Sequence, residues 1–395
     1  MNSRIFHKRI RKAGCVFLGA VLLLFTFLPA AQAETDLTGY ITGAFAGRAA
    51  HAAKGNDLLS DADFLRLNAG AGTGDWAAFA MARYSTVDAD GKTVYYFNGD
   101  YAAYRAALEE KLVEFYNAAG IASGTKLTEY FRMGLALTAL GGDCRGIIAA
   151  ATLENPTALK RQSIITLDYA LLSVNALALK TPENAAHTPQ EYVERILSLQ
   201  MADGGWSLTS MLGGGADVDV TAMTLTALGP YYRAGDKAVT AAVDRALALL
   251  SARQSGSGDY ATYGLMNCES TAQVLTALTS LGVDPLKDAR FIKNGKTVVD
   301  GLLRYRLADG SFTHAYISDP ENDAAEAGGY NYLATDQAAY ALVALWRQQQ
   351  GQNALYDLTP DLGPSFSAFL SRLIAAVRAF FTRLAAVFRP LGLTR

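Results

Sequence analysis

Cysteine and histidine are scarce, with three and four residues in a chain of 395. Cys15 lies at the start of an apolar run rather than at its end, where a lipidated cysteine would stand, so Cys144 and Cys268 remain for the body of the chain. One possible pair in so long a chain is no disulfide framework, and two free buried thiols are the expectation. His51, His187 and His314 are isolated and read as solvated loop residues, with His314 alone placed where it could reach a cavity. No serine or cysteine lies in a nucleophile elbow. No β-rich segment remains for a second domain.

Acids are missing from both ends of the sequence. The first dozen residues carry Arg4, Lys8, Arg9, Arg11 and Lys12, followed by an apolar run from Ala13 to Leu28 and by Ala31-Gln32-Ala33 before Glu34. That pattern is a secretory signal peptide over residues 1–33, cleaved after Ala33. Its apolar run is shorter than the roughly 20 residues a spanning helix needs. A secreted or cell-surface protein is expected. Without the leader's five basic residues, 30 Lys and Arg face 37 Asp and Glu, and five of the 30 (Arg372, Arg378, Arg383, Arg389 and Arg395) lie in an acid-free final stretch. The body is therefore acidic, which argues against nucleic acid as a partner.

In the final stretch, over 364–391, residues such as Phe366, Phe369, Leu370, Leu373, Val377 and Phe380 recur with helical period, and arginines fill the polar face. A basic amphipathic helix of this kind can lie in an anionic membrane surface or dock on the acidic body, and the sequence leaves both open.

What is abundant is self-similarity. An amphipathic helix, a glycine-rich turn with an aromatic, and a more apolar helix recur: "ILSLQMADGGW" leads to "DVTAMTLTALG", "LALLSARQSGSGDY" to "CESTAQVLTALTSLG", and "LLRYRLADGSF" to "ATDQAAYALVALW". Gln200, Gln254 and Arg306 stand four residues before Gly204, Gly258 and Gly310, and six before Trp206, Tyr260 and Phe312. A register kept three times marks a structural repeat. The long side chain can reach back to a helix end, the glycine allows the tight turn, and the aromatic wedges between neighbouring repeats. "DWAAFAMARY", "TEYFRMGLALTALGG" and "LDYALLSVNALAL" continue the apolar set toward the N-terminus.

Six such inner helices and six outer ones, near 57–68, 100–117, 143–151, 189–200, 236–254 and 295–307, predict an all-α closed ring over residues 34–360. Long loops at 85–98, 207–218 and 313–334 precede inner helices and suit a functional role.

Nearly every inner helix begins with an acid: Asp75, Glu129, Asp168, Asp219, Glu269 and Asp336. Helix capping explains each one singly. Six parallel helices would also set the six acids around one mouth, near Trp76, Tyr130, Trp206, Tyr263, Tyr316 and Tyr330. Such a rim suits a polyol, a cation or a corrinoid-like ligand better than a phosphate.

The Gln200-x-x-x-Gly204-x-Trp206 unit resembles the QW motif of squalene and other terpene cyclases, whose α/α toroid is shared by intrinsic factor, transcobalamin and protein prenyltransferase β subunits. Residues of about 70–360 look most like the exported prenyltransferase/squalene-oxidase-repeat proteins of clostridial bacteria, through "DVDVTAMTLTALGPYY", "ESTAQVLTALTSLGVDP", "RFIKNGKTVVDGLLRYRLADGSF" and "LATDQAAYALVALWR". The resemblance implies the α/α toroid more than any one activity. Asp217-Val218-Asp219-Val220-Thr221-Ala222 falls where terpene cyclases carry D-x-D-D-T-A, so Asp219 matches their catalytic acid, but Val220 replaces the following acid. Three roles for Asp219 follow: helix cap, ligand contact, or catalytic acid.

Prenyltransferases hold zinc with an Asp-x-Cys pair and a histidine. Here Met266 precedes Cys268 by two, and Thr335-Asp336 brings no histidine, so neither zinc nor another cofactor is expected. No C-terminal β-domain like that of the cobalamin carriers is present, so cobalamin capture is not expected either.

The reading is of a monomeric, exported, non-catalytic toroid that binds a small molecule or partner in its central cavity. The alternatives are a cyclase-like enzyme and a structural surface module. Intact mass spectrometry of protein recovered from the medium of an exporting host should give a chain beginning at Glu34; a species retaining residues 1–33 overturns the leader.

Overall fold

The computed structural model describes residues 37–52, 57–88, 90–121, 126–160, 162–208, 215–320 and 325–359. The leader, Cys15 and the amphipathic stretch 364–391 lie outside the described residues. Six helices form an inner set: α3 (Gly72–Arg83), α5 (Leu127–Ala139), α7 (Ile164–Ala176), α9 (Val218–Arg233), α11 (Cys268–Leu281) and α13 (Tyr332–Gln349). Each packs on the next, and α13 packs back on α3, so the set closes on itself. Around it lie α1 (Leu37–Ala52), α2 (Ala62–Asn68), α4 (Tyr101–Ala119), α6 (Arg145–Ala151), α8 (Pro189–Ser198), α10 (Lys237–Arg253) and α12 (Val298–Leu303). Two small antiparallel hairpins, β1 (Ser85–Val87) with β2 (Thr93–Tyr95) and β3 (Tyr260–Thr262) with β4 (Leu265–Asn267), and a short 3-10 turn at Ala289–Phe291 complete the described elements.

The chain is an all-α toroid of inner and outer helices. Inner neighbours run parallel. The second turn of α7 meets the second turn of α9 through Asp168 and Thr224 (2.8 Å), and the last turns of the same two helices meet through Asn175 and Tyr231 (3.2 Å). A helix enclosed on every side must be apolar or small all round, and every residue of α11 is buried. α10, by contrast, buries only the stripe Val239, Ala242, Val243, Ala246, Leu247 and Leu250. No described helix is long and apolar enough to cross a membrane.

The three repeated turns bind each repeat to the next. Gln200 donates through Nε2 to Gly204 O in its own turn (2.7 Å) and to Ala242 O on α10, the next outer helix (2.8 Å). Gln254 does the same with Gly258 O (3.2 Å) and Phe291 O (3.0 Å). The long side chain thus reaches forward to the following repeat rather than back to a helix end. The turn aromatics Trp206, Tyr260 and Phe312 are all fully buried. Trp206 is fully buried beneath its own outer helix, its indole N–H donating to Ile196 O at 2.9 Å.

A further element fixes the turn. The backbone N–H groups of Trp206, Tyr260 and Phe312 are received by the hydroxyls of Thr221, Thr271 and Thr335, each in the first turns of the following inner helix.

The third turn lands on α1, a helix the sequence reading did not foresee. Gly310, at φ +93°, lies against the backbone of Gly43, and the Arg306 guanidinium sits over the Tyr40 ring at 5.6 Å. α1 therefore serves as the outer helix of the final repeat, and the two ends of the repeat array share one seam. Two buried arginines bridge that seam. Arg48 on α1 pairs with Asp336 of α13 at 2.9 Å and donates to Thr73 O at the start of α3. Arg347, at the far end of α13, donates to Arg83 O at the end of α3 (2.9 Å) and to Ser85 O (3.3 Å).

Beyond α13 the chain turns back over the ring. Arg83 holds it through Leu355 O (2.8 Å), Ala354 O and Asp357 O (3.0 Å each), and Tyr356 enters the bore, stacking on Phe79 with centroids 5.1 Å apart.

An added Cβ at Gly258 would meet the Thr297 carbonyl on the next outer helix from an already left-handed φ of +95°, whereas Gly264, at φ +83°, faces open space. In urea denaturation Gly258→Ala should cost at least about 2 kcal/mol and Gly264→Ala only about 1 kcal/mol. Equal losses would remove the repeat-to-repeat seating from the account.

Candidate functional site

None of the six acids caps its helix. The caps are Ser163, Asp217, Asn267 and Asn331 at α7, α9, α11 and α13, each accepting a backbone N–H three residues on, while Ala71 and Lys126 before α3 and α5 give no side-chain cap. Asp217, not Asp219, receives the Val220 N–H, at 3.0 Å. The acids lie within the first turns instead and reach sideways to a neighbour, and those neighbours sort them.

Four pair with basic side chains. Asp75 is fully buried and accepts from Arg132 (2.9 Å), Tyr104 (2.9 Å) and the Gly70 N–H (3.0 Å); burial raises its carboxyl to about 6 while those three donors pull it down. Arg132 also holds Glu129, at 2.6 Å. Asp336 is raised by burial to about 7 against the pull of Arg48. Glu269 pairs with His314 Nδ1 at 2.8 Å, and the other ring nitrogen of His314 meets Asp319 at 3.1 Å. His314 is therefore neither isolated nor solvated: its side chain is 12% exposed, and hydrogen bonding to Glu269, opposed by burial, raises its pKa. His187 is also mostly buried, its ring edge-on to Tyr192, and His51 pairs with Asp309 at 2.8 Å and stacks on Tyr330.

Two acids have hydroxyl partners and no cation. Asp168 is fully buried; one oxygen accepts from Thr224, the other has no partner, and burial lifts the carboxyl well above the usual range. Asp219 is half-buried and accepts from the Thr262 hydroxyl at 3.1 Å, Thr262 in turn meeting Ser270 at 2.9 Å. Burial raises Asp219 to about 6; Ser270 and Thr262 lower it, and the charges of Asp217 and Glu269 add to the rise.

The residue after Thr262 is Tyr263, 79% exposed and held at φ +51° on the tip of the β3–β4 hairpin. A tyrosine rarely adopts this left-handed backbone, and a strained exposed aromatic beside an under-compensated acid is a mark of a site. The loop carrying His314 adjoins it, since Cys268 N–H donates to His314 O at 2.9 Å. The six-acid rim thus contracts to one sector between α9, α11 and the loop before α13: Asp217, Asp219, Glu269, His314, Asp319 and Tyr263.

Several sequence candidates lie elsewhere. Tyr130 faces outward to Phe115 and Tyr116 of α4 and donates to Gly120 O (2.9 Å). Trp206 is beneath its outer helix, and Tyr316 leans on Tyr305 and donates to Arg304 O (2.8 Å). Trp76 does line the bore, 5.8 Å from Tyr169 and 6.2 Å from Tyr340. Tyr356 joins these rings in the bore. The cavity between Asp168, Tyr169, Met223, Gln273 and Tyr356 measures about 10 Å³, room for roughly one water.

Gln273 and the tail's Tyr356 were not foreseen. Gln273 Nε2 binds the Tyr340 hydroxyl (2.6 Å) and Gln337 Oε1 (2.8 Å). Cys144 and Cys268 are free and buried. Among the described residues no group of three or more His, Cys, Asp or Glu is placed to hold a metal ion.

Ring closure and repeated turns define an α/α toroid, with an acidic sector at the end where the inner helices begin. Among solved structures, the chain is similar to ent-copalyl diphosphate synthase from Streptomyces platensis (19% identity, TM-score 0.43), covering 69% of this chain and about half, 49%, of that one. It is also similar to a possible member of the GH105 family from Salmonella enterica serovar Paratyphi A (9% identity, TM-score 0.44, 80% of this chain and 95% of that one). A third is the type II terpene cyclase MstE from Scytonema (17% identity, TM-score 0.32, 79% and 88%). No protein-family model and no curated protein sequence matches the chain.

Because burial holds Asp219 above its unfolded value, the folded state keeps a proton that the unfolded chain releases. That stabilisation is complete below about pH 4 and is lost as pH rises through about 6. Asp219→Asn keeps the shape and removes the titration, so it should be near neutral at pH 4 and stabilising by up to about 3 kcal/mol at pH 8. A pH-independent difference in chemical denaturation would contradict the buried-acid assignment.

Proposed function

We propose that this protein is an exported, non-catalytic toroid of the kind found in the clostridial prenyltransferase/squalene-oxidase-repeat proteins, and that it binds a small ammonium- or hydroxyl-bearing ligand at the Asp219 sector. One observation carries the reading: Asp219, without a cation of its own, is held by Thr262 next to the exposed, strained Tyr263. An acid that costs stability at neutral pH is retained where something compensates it, and a carboxylate beside an open aromatic face attracts a cation or the polar edge of a polyol. Phosphate is disfavoured, because Asp217, Asp219, Glu269 and Asp319 outnumber the one basic side chain of the sector, His314. The mouth is the proposed seat of the ligand because the described cavity beside Asp168 and Tyr356 has space for about one water.

The cyclase-like alternative rests on the raised pKa of Asp219, which suits an acid. It has against it Val220, which stands where the cyclase motif carries a second acid. Purified mature protein should bind choline, spermidine or glucosamine saturably in calorimetry, with inorganic phosphate inert and affinity at least about tenfold weaker in Asp219→Ala and Tyr263→Ala. Unchanged binding in both variants places the site elsewhere. A cyclised product from squalene or geranylgeranyl diphosphate, absent with Asp219→Asn, would replace the binding reading with the enzymatic one.

A further inference from the structure

A second cleft, of about 240 Å³, opens at the opposite end of the ring, between the last turns of α7, α9 and α11 and the tail residues 354–359. Its polar lining is rich in donors that lack acceptors. Asn175 gives its amide oxygen to the Tyr231 hydroxyl, which leaves the amide NH2 as the spare end, buried and without a partner. Ser280 is 4% exposed; its carbonyl is taken by Arg233, and its hydroxyl has no partner. Arg233 stands at the exposed lip. The one acid of the lining, Asp357, already accepts from the backbone N–H and the hydroxyl of Thr359. Leu172, Pro230 and Tyr356 supply an apolar wall.

Buried donors without acceptors are costly, and two of them, Asn175 Nδ2 and Ser280 Oγ, beside the Arg233 guanidinium at the lip match an acceptor-rich group. One cation, with Asp357 acting on it and the carbonyl ends of three parallel helices around it, leaves room for at most a singly charged head and not a dianion. We infer that this cleft binds a small organic carboxylate, its head on Arg233, Asn175 and Ser280 and its short apolar body against Leu172, Pro230 and Tyr356. Pro230 shapes the site as well. Lacking an N–H, it leaves the Thr226 carbonyl without its usual helical donor, so the wall also offers an acceptor to a protonated or amino substituent on the ligand.

The cleft and the Asp219 sector lie at opposite ends of the inner helices, so their tests separate. With full mature protein, benzoate should bind saturably in calorimetry and ligand-observed NMR, while benzyl alcohol and inorganic phosphate should not. Arg233→Gln, a change at the lip, and Asn175→Leu should each weaken benzoate about tenfold or more, with native near-ultraviolet circular dichroism, and Asp219→Ala should leave it unchanged. Absence of benzoate binding at millimolar concentration, equal binding of benzyl alcohol or phosphate, or unchanged affinity in Arg233→Gln would overturn the proposal.

Discussion

Everything in this ring depends on one seam, where the end of the repeat array meets its beginning. An open stack of helix pairs leaves an apolar face at each end, and a closed ring leaves none, provided the last pair finds a partner. Here the partner is α1, and contact is made backbone to backbone at Gly310 and Gly43. Arg48 and Arg347 then tie α13 to the two ends of α3. Both guanidiniums are buried, and for the Arg48–Asp336 pair removing one partner typically costs about 3–5 kcal/mol, far more than a surface ion pair contributes.

Closure also decides what the interior can be. Six small-residue helices drawn tightly together leave a narrow bore, which Trp76, Tyr169, Tyr340 and Tyr356 occupy. The acids at the helix starts then become links between neighbouring staves: Asp75 to Arg132, Asp168 to Thr224, Asp336 to Arg48. At Asp219 the partners are the hydroxyls of Thr262 on the β3–β4 hairpin and Ser270 on the next stave, with no cation. The candidate site is therefore a gap in a structural pattern, and the pattern makes the gap visible.

Much of the architecture was legible in the sequence because its signals are local and repeated. The glycine and aromatic of each turn recur in register, and the all-round apolar composition of the inner helices follows from enclosure. α1 escaped notice because its sequence, LTGYITGAFAGRAAHA, carries neither a charged stripe nor a repeat signature; its glycines serve contact with a turn more than 260 residues away. The caps were assigned to the wrong residues, although the pattern that identifies them is present. Asp217, Asn267 and Asn331 each stand four residues before the threonine that receives the turn, Thr221, Thr271 and Thr335. The pairing of His314 with Glu269 and Asp319, and the descent of Tyr356 into the bore, are tertiary facts with no local trace.

The seam has a kinetic side as well. A linear repeat protein can begin to consolidate as soon as neighbouring units emerge, whereas this ring withholds the outer partner of its last unit until residues near 310 can return to residue 43. Its first helix waits for nearly the whole chain, a contact of very high sequence separation that delays the cooperative step. For a polypeptide that must be threaded through a membrane before it folds, as proposed for this one, late closure keeps the chain pliable during passage and locks it only when both ends have arrived.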